Sequence, residues 1–196
     1  MHPTLKCLEA ELTGSLTGLS PAELGATADG EPGKWCIHQI VCHLLLSYQT
    51  TIDVFEARIA KGTPTRTKPT LWQRLGQIYI IKLGRFPQGR KAPAAVDPSG
   101  PFPLCSVEDL IDRIQMELAR FDAVADRAAE LFGNFPAITH IVLGPMPVDS
   151  WRTFHLIHGR HHIDQILALR KPQRVRKSVV SEGIFAAGRS KASDSL

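Results

Sequence analysis

Four of the chain's eight histidines fall within eight consecutive residues, in the stretch His155-Leu-Ile-His158-Gly-Arg-His161-His162-Ile-Asp-Gln165. A neutral imidazole nitrogen is a strong ligand for first-row divalent metals. On a helix, positions three or four apart share a face, so His155, His158 and His162 form one stripe and His161 lies beside it. Two imidazoles at i and i+4 can grip one ion but make only half a site. A third ligand from elsewhere would turn a surface chelate into a defined centre with open positions. His43, in Trp35-Cys-Ile-His-Gln-Ile-Val-Cys-His43-Leu-Leu-Leu, is the strongest candidate, because its flanking leucines place it on a face that packing will bury. The competing reading is a run of solvated or hydrogen-bonded histidines. A buried polar group left without a partner costs about 1–3 kcal/mol, which a shared ion would relieve at several nitrogens together.

The remaining soft or basic ligands fit such a site less well. Cys42 is turned about 100° from His43 on a helix, and Cys36 lies two turns away at roughly 10 Å of rise. Cysteine ligation is therefore not expected. Cys7, Cys36, Cys42 and Cys105 are too far apart in sequence for a Cys-x-x-Cys pair and are expected to be free, mostly buried thiols of a reducing compartment. His38 points away from the His43 face, and His140 falls in a loop where it either approaches the site or meets solvent.

Positioning these residues requires helices, and the apolar spacing supplies them. Leu5, Leu8, Leu12, Leu16 and Leu19 predict a first helix over 3–18, and Ser20-Pro21-Ala22-Glu23 reads as a capped start of a short second one. Ile37, Ile40, Val41, Leu44, Leu45, Tyr48, Ile52 and Phe55 predict a long helix over 35–60, stopped by Gly62 and Pro64. A weaker pattern, Leu71, Leu75, Ile78, Tyr79 and Leu83, predicts a helix over 70–85. From Phe86 to Cys105, five prolines and two glycines exclude regular structure and suggest a lid over a site. Ser106-Val-Glu-Asp109 caps the clearest helix, carried to Phe132 by Leu110, Ile111, Ile114, Leu118, Phe121, Val124, Ala125, Ala128 and Leu131. Residues 133–147 read as irregular, and a closing helix spans 149–169 until Lys171-Pro172. Four long helices without a strand pattern predict an all-α antiparallel four-helix bundle over 1–170, followed by a flexible, disordered basic tail over 171–196.

At 196 residues with 43% apolar composition, the chain can fill the core of one domain. No apolar run reaches the roughly 18–20 residues that cross a bilayer, and no secretory leader is evident, so a cytoplasmic protein with no membrane partner is expected. The net charge of +4 is unevenly spread: residues 61–105 hold eight Lys/Arg against one Asp/Glu, and residues 171–196 hold six against two. Nucleic acid is not an expected partner, because neither a helix-turn-helix nor an aromatic RNA-binding pattern accompanies the basic stretches.

Trp35-Cys-Ile-His-Gln-Ile-Val-Cys-His43-Leu resembles the Trp-x(several)-His-Leu signature of the second core helix in the DinB/YfiT-like metalloprotein superfamily. His158-Gly-Arg-His161-His162-Ile-Asp-Gln165-Ile is similar to that superfamily's last-helix motif, in which the first and fifth positions are ligating histidines and a Gln follows. The segment from His140 through Gly144 to Trp151 resembles a branch known only as a domain of unknown function. The resemblance spans residues 1–170 and implies a DinB-like bundle with His43, His158 and His162 as ligands of a divalent ion, either nickel, zinc or iron. It also implies a small-molecule substrate. Some members are thiol-dependent transferases or isomerases that use a low-molecular-weight thiol, which suggests a transferase or hydrolase, and the basic loop could then hold the carboxylates of the thiol. A non-catalytic metal-binding or interaction protein, possible as a homodimer, is the alternative.

Overall fold

The computed structural model describes residues 1–25, 27, 34–89, 91–98 and 105–170. The expected tail over 171–196 lies outside the described residues, as do parts of the loop between Phe86 and Cys105. Among the described residues the fold is mostly helical, with six α-helices: α1 (Pro3–Leu16), α2 (Pro21–Gly25), α3 (Ile37–Lys61), α4 (Leu71–Gln77), α5 (Val107–Phe132) and α6 (Val148–Leu169). None of the described helices is long and apolar enough to cross a membrane.

Local chemistry sets the ends of these helices. Ser106 Oγ accepts from the Asp109 N–H at 3.0 Å while the Asp109 carboxylate accepts from the Ser106 N–H at 3.2 Å, closing a capping box at the start of α5. Gln39 Oε1 likewise accepts the Cys36 N–H at 3.1 Å and leaves Trp35 outside α3. Gly62 ends α3 at φ 64°, a left-handed conformation that costs glycine nothing, with its N–H donating to the Ile59 carbonyl.

Packing pairs α1 with α6 and α3 with α5, while α1 also meets α5 and α3 also meets α6. Leu5, Leu8, Leu12 and Leu16 are fully buried along α1, each contributing roughly 1.5–3 kcal/mol of transfer free energy. Gly159 lets α6 approach α1, because a Cβ there would collide with Leu8 Cδ1. Arg152, buried on α6, reaches Asp122 at 3.7 Å and also pairs with Asp126, tying α6 to α5 far from the clustered histidines.

Five expectations need correction. The segment 133–147 is not wholly irregular: β1 (Ile138–His140) and β2 (Gly144–Met146) form an antiparallel hairpin with Ile138 opposite Met146. Strands of three residues are too short to print an alternating pattern. The loop from Phe86 contains a 3₁₀ turn at Ala94–Val96. The segment 70–85 is helical, as α4 extended by a π turn at Ile78–Lys82, but Leu71, Leu75, Ile78, Tyr79 and Leu83 face outward and α4 buries no residue. Its inward anchor is polar: Gln77 Nε2 donates to the Leu143 carbonyl at 2.7 Å and to the Pro145 carbonyl at 3.2 Å. The four cysteines are free as expected, yet only Cys42 is buried and Cys7 is exposed. On α5, Leu131 is exposed where Phe132 takes the core position.

Candidate metal centre

The core faces of α3 and α6 bring three imidazoles together. His43 Nε2 lies 3.2 Å from His158 Nε2, which lies 3.0 Å from His162 Nε2. All three residues are buried, and their ligand atoms lie within 4.8 Å of one another. Metal–nitrogen bonds of 2.0–2.1 Å place two nitrogens about 2.9 Å apart at a right angle and about 3.3 Å apart at the tetrahedral angle. The two separations from His158 Nε2 fall between these values, and the third pair lies within 4.8 Å, so the three histidines could hold one metal ion.

The outer nitrogens decide what the inner ones can do. His43 Nδ1 donates to the Val96 carbonyl at 2.7 Å. A carbonyl only accepts, so this nitrogen carries the proton and Nε2 presents a lone pair. His162 Nδ1 is 2.8 Å from Gln165 Oε1, an acceptor that leaves His162 Nε2 as a second lone pair, and Gln165 Nε2 sits 3.2 Å from His161 Nε2. His158 Nδ1 is buried with no protein partner. Two lone pairs thus face one further nitrogen, whose single N–H could satisfy only one of them. A cation satisfies all three at once, and the donor set fits the group that the sequence motifs imply.

Burial holds these imidazoles in the neutral, ligating form. His158 is pushed well below the ordinary histidine range by desolvation first, then by the proximity of His162 and His43. Desolvation, reinforced by His43, lowers His162 to about 3. His43 is also lowered by burial, although the Val96 hydrogen bond and the Asp97 charge act in the opposite direction.

Aromatic rings wall the cluster. Trp35 lies over His43 at 5.0 Å between ring centroids and stacks on His162 at 6.5 Å. Phe86 stacks on both His158 and His161, at 5.0 and 4.9 Å, and Phe154 stacks on His158 at 5.5 Å. Phe86 and Val96 both belong to the loop expected to cover a site.

The other candidates fall elsewhere. His155 is fully buried one turn along α6, packed on Phe121 and Tyr48 at 4.7 and 5.3 Å, with neither ring nitrogen partnered within the protein. His161 is half-buried at the rim. His38 is turned away from the triad toward sulfur, with Cys105 Sγ at 3.6 Å and Cys42 Sγ at 3.9 Å. His140 neither joins the site nor points freely into solvent. Its Nδ1 accepts the Val142 and Leu143 N–H groups, each at 3.1 Å, which caps the hairpin turn. Among the described residues no other group of three histidine, cysteine or carboxylate side chains converges in this way. The motifs included Trp35 and Gln165 without giving their roles, and sequence reasoning missed the parts played by Phe86 and Val96. Only Gln165, three residues after His162, carried a readable helical-spacing signal.

Residues 5–166 match a family profile described as the DinB superfamily. The match covers most of the chain, which therefore belongs to that superfamily. No curated protein and no solved structure matches it.

Proposed function

We propose that this protein binds one divalent first-row ion through His43, His158 and His162 and acts with it as a metal-dependent enzyme on a small molecule, of thiol-transfer or hydrolytic type. The observation that carries this reading is the convergence of three buried Nε2 atoms, spaced 3.0 and 3.2 Å, with two outer nitrogens already fixed by Val96 and Gln165. In this reading α1, α3, α5 and α6 form an antiparallel four-helix bundle, and the site lies between α3 and α6. Nickel, zinc and iron all accept a three-imidazole donor set.

Held by neutral ligands, such an ion keeps its double charge and supplies Lewis acidity, lowering the pKa of a thiol or water that reaches it. The protein's own residues do the rest. Val96 and Gln165 hold the tautomers and ring planes of His43 and His162, as outer partners of ligating histidines commonly do. Trp35, Phe86 and Phe154 limit water on the sides they cover. His161 and Asp97 are the titratable groups beside the triad, and the lone pair of His161 Nε2 is taken by the Gln165 amide. Arg85 and Lys91, exposed in the segment that carries Phe86 and Val96, suit the carboxylates of a low-molecular-weight thiol.

A specific observation favours a second reading, a metal-binding protein without catalysis: among the described residues no carboxylate joins the three histidines, and Asp164 on the same helix is exposed. Metal analysis of protein purified without a histidine tag, followed by a screen of thiol transfer and hydrolysis, separates the two. Turnover lost on chelation and restored by the ion supports the enzyme. Stoichiometric metal with no turnover across the screen supports the second reading, and absence of metal binding overturns both.

A further inference from the structure

The segment from Leu71 to Leu83 is amphipathic in the wrong sense for a surface helix. At about 100° per residue, Leu71, Trp72 and Leu75 of α4 occupy one arc of roughly 100°, and Ile78, Tyr79 and Leu83 in and after the wider π turn are exposed with them. These residues face outward: Trp72 is 81% exposed, Leu71 70% and Leu83 60%. The opposite face is anchored through Gln77 to the hairpin carbonyls, and Ile80 is the one buried residue of this segment. The hairpin tip against which it docks adds Ile141, 78% exposed, and Val142. An apolar face of this continuity is not ordinary scatter on a protein surface.

The charges around it narrow what can cover it. Residues 62–96 contain seven Lys/Arg and no Asp or Glu. Arg66, Lys68, Arg74, Lys82 and Arg85 are exposed and carry no ion pair among the described residues. A two-fold pairing of this face with a second copy would set the same basic groups against each other, at an electrostatic cost. The chain's own residues 171–196 are also net basic, six Lys/Arg against two Asp/Glu. An apolar stripe with Trp and Tyr toward one edge and only cations among the charged residues of its own segment has the composition of a helix lying in a lipid headgroup region.

We propose that the outward face of α4 and its π extension docks this protein on an anionic phospholipid surface. The expectation of no membrane partner rested on the lack of a spanning segment, and peripheral docking needs none. The helix leads directly into Phe86, which stacks on His158 and His161, so docking would bring the edge of the histidine cluster toward the lipid. The inference does not depend on the metal chemistry.

Cosedimentation of the full chain with phosphatidylcholine vesicles, with and without phosphatidylserine, tests it. Binding is expected only where phosphatidylserine is present, and it should weaken with added salt. Trp72→Glu and Leu75→Glu should each reduce it by about ten-fold or more, and Arg74→Gln and Lys82→Gln by about five-fold each, with helicity unchanged by circular dichroism. No binding to either vesicle, or equal binding to both, overturns the proposal. Self-association abolished by Trp72→Glu, without lipid binding, would assign the face to a second copy. Acrylamide quenching of Trp72, read as the difference from Trp72→Phe, that rises when residues 171–196 are removed would assign it to the chain's own tail. Either result overturns lipid docking.

Discussion

His158 and His155 lie one turn apart on α6, both deeply buried, yet their surroundings ask different things of an imidazole. Around His158, two further Nε2 atoms converge within 3.2 Å, and their rings are held from behind by Val96 and Gln165. Around His155 the rings of Phe121, Tyr48, Trp151 and Phe154 pack, and among the described residues neither nitrogen finds a protein partner. Burial alone therefore does not make a ligand. Convergence of lone pairs prepares a site that could hold an ion, and a histidine without it is a packed ring that bears a desolvation cost.

The contrast is sharpest under substitution. His158→Ala should remove nearly all bound metal, whereas His155→Leu should leave metal content near that of the unmodified protein; elemental analysis of tag-free protein reads both. Equal loss in the two variants would mean that His155 supports the ion and would break the comparison. Gln165→Ala comes next, since it frees the ring of His162 without removing a ligand. Affinity should fall by about 10–100-fold in a competition titration with a chromophoric chelator, with the fold intact.

Acid should separate the two regions as well. Burial lowers His155 to about 3 in the folded chain, with His140 adding to the shift, against roughly 6.5 when unfolded. The unfolded state then binds the extra proton, so stability is full above about pH 6.5 and falls as pH drops toward 3. Thermal melts of metal-free protein across that window should show His155→Leu losing less stability than the unmodified chain. The smaller effects come last. Gly159→Ala should destabilise by about 1–3 kcal/mol in a denaturant titration, because its new methyl meets fully buried Leu8. At neutral pH, His155→Leu should change stability by no more than about 1 kcal/mol, since it deletes two unpartnered polar atoms at little cost in packing.

Much of this arrangement was legible in the chain because it rests on local spacing. The stripe Leu5, Leu8, Leu12 and Leu16, the box at Ser106 and Asp109, and the i,i+4 pair His158 and His162 each declare themselves within a few residues. The link to His43 was readable from its apolar neighbours and from motif resemblance together. What escaped notice depends on contacts between distant segments. The Val96 carbonyl meets His43 across 53 positions, and Phe86 reaches α6 from a loop rich in proline. Periodicity also gives the stripe of Leu71, Leu75, Ile78 and Leu83 without giving its direction. Two Gln77 hydrogen bonds to the hairpin and the buried Ile80 hold the segment's other side inward, which leaves that stripe outward, against the usual assumption that the apolar side is the buried one.

The most direct test of the three-histidine site is a metal titration of His43→Ala beside the unmodified, tag-free protein. One ion per chain in the parent and a near-complete loss in the variant are expected, because the third nitrogen comes from α3 alone. Full retention of the ion by His43→Ala would show that α6 binds metal by itself, and would contradict a centre built between the two helices.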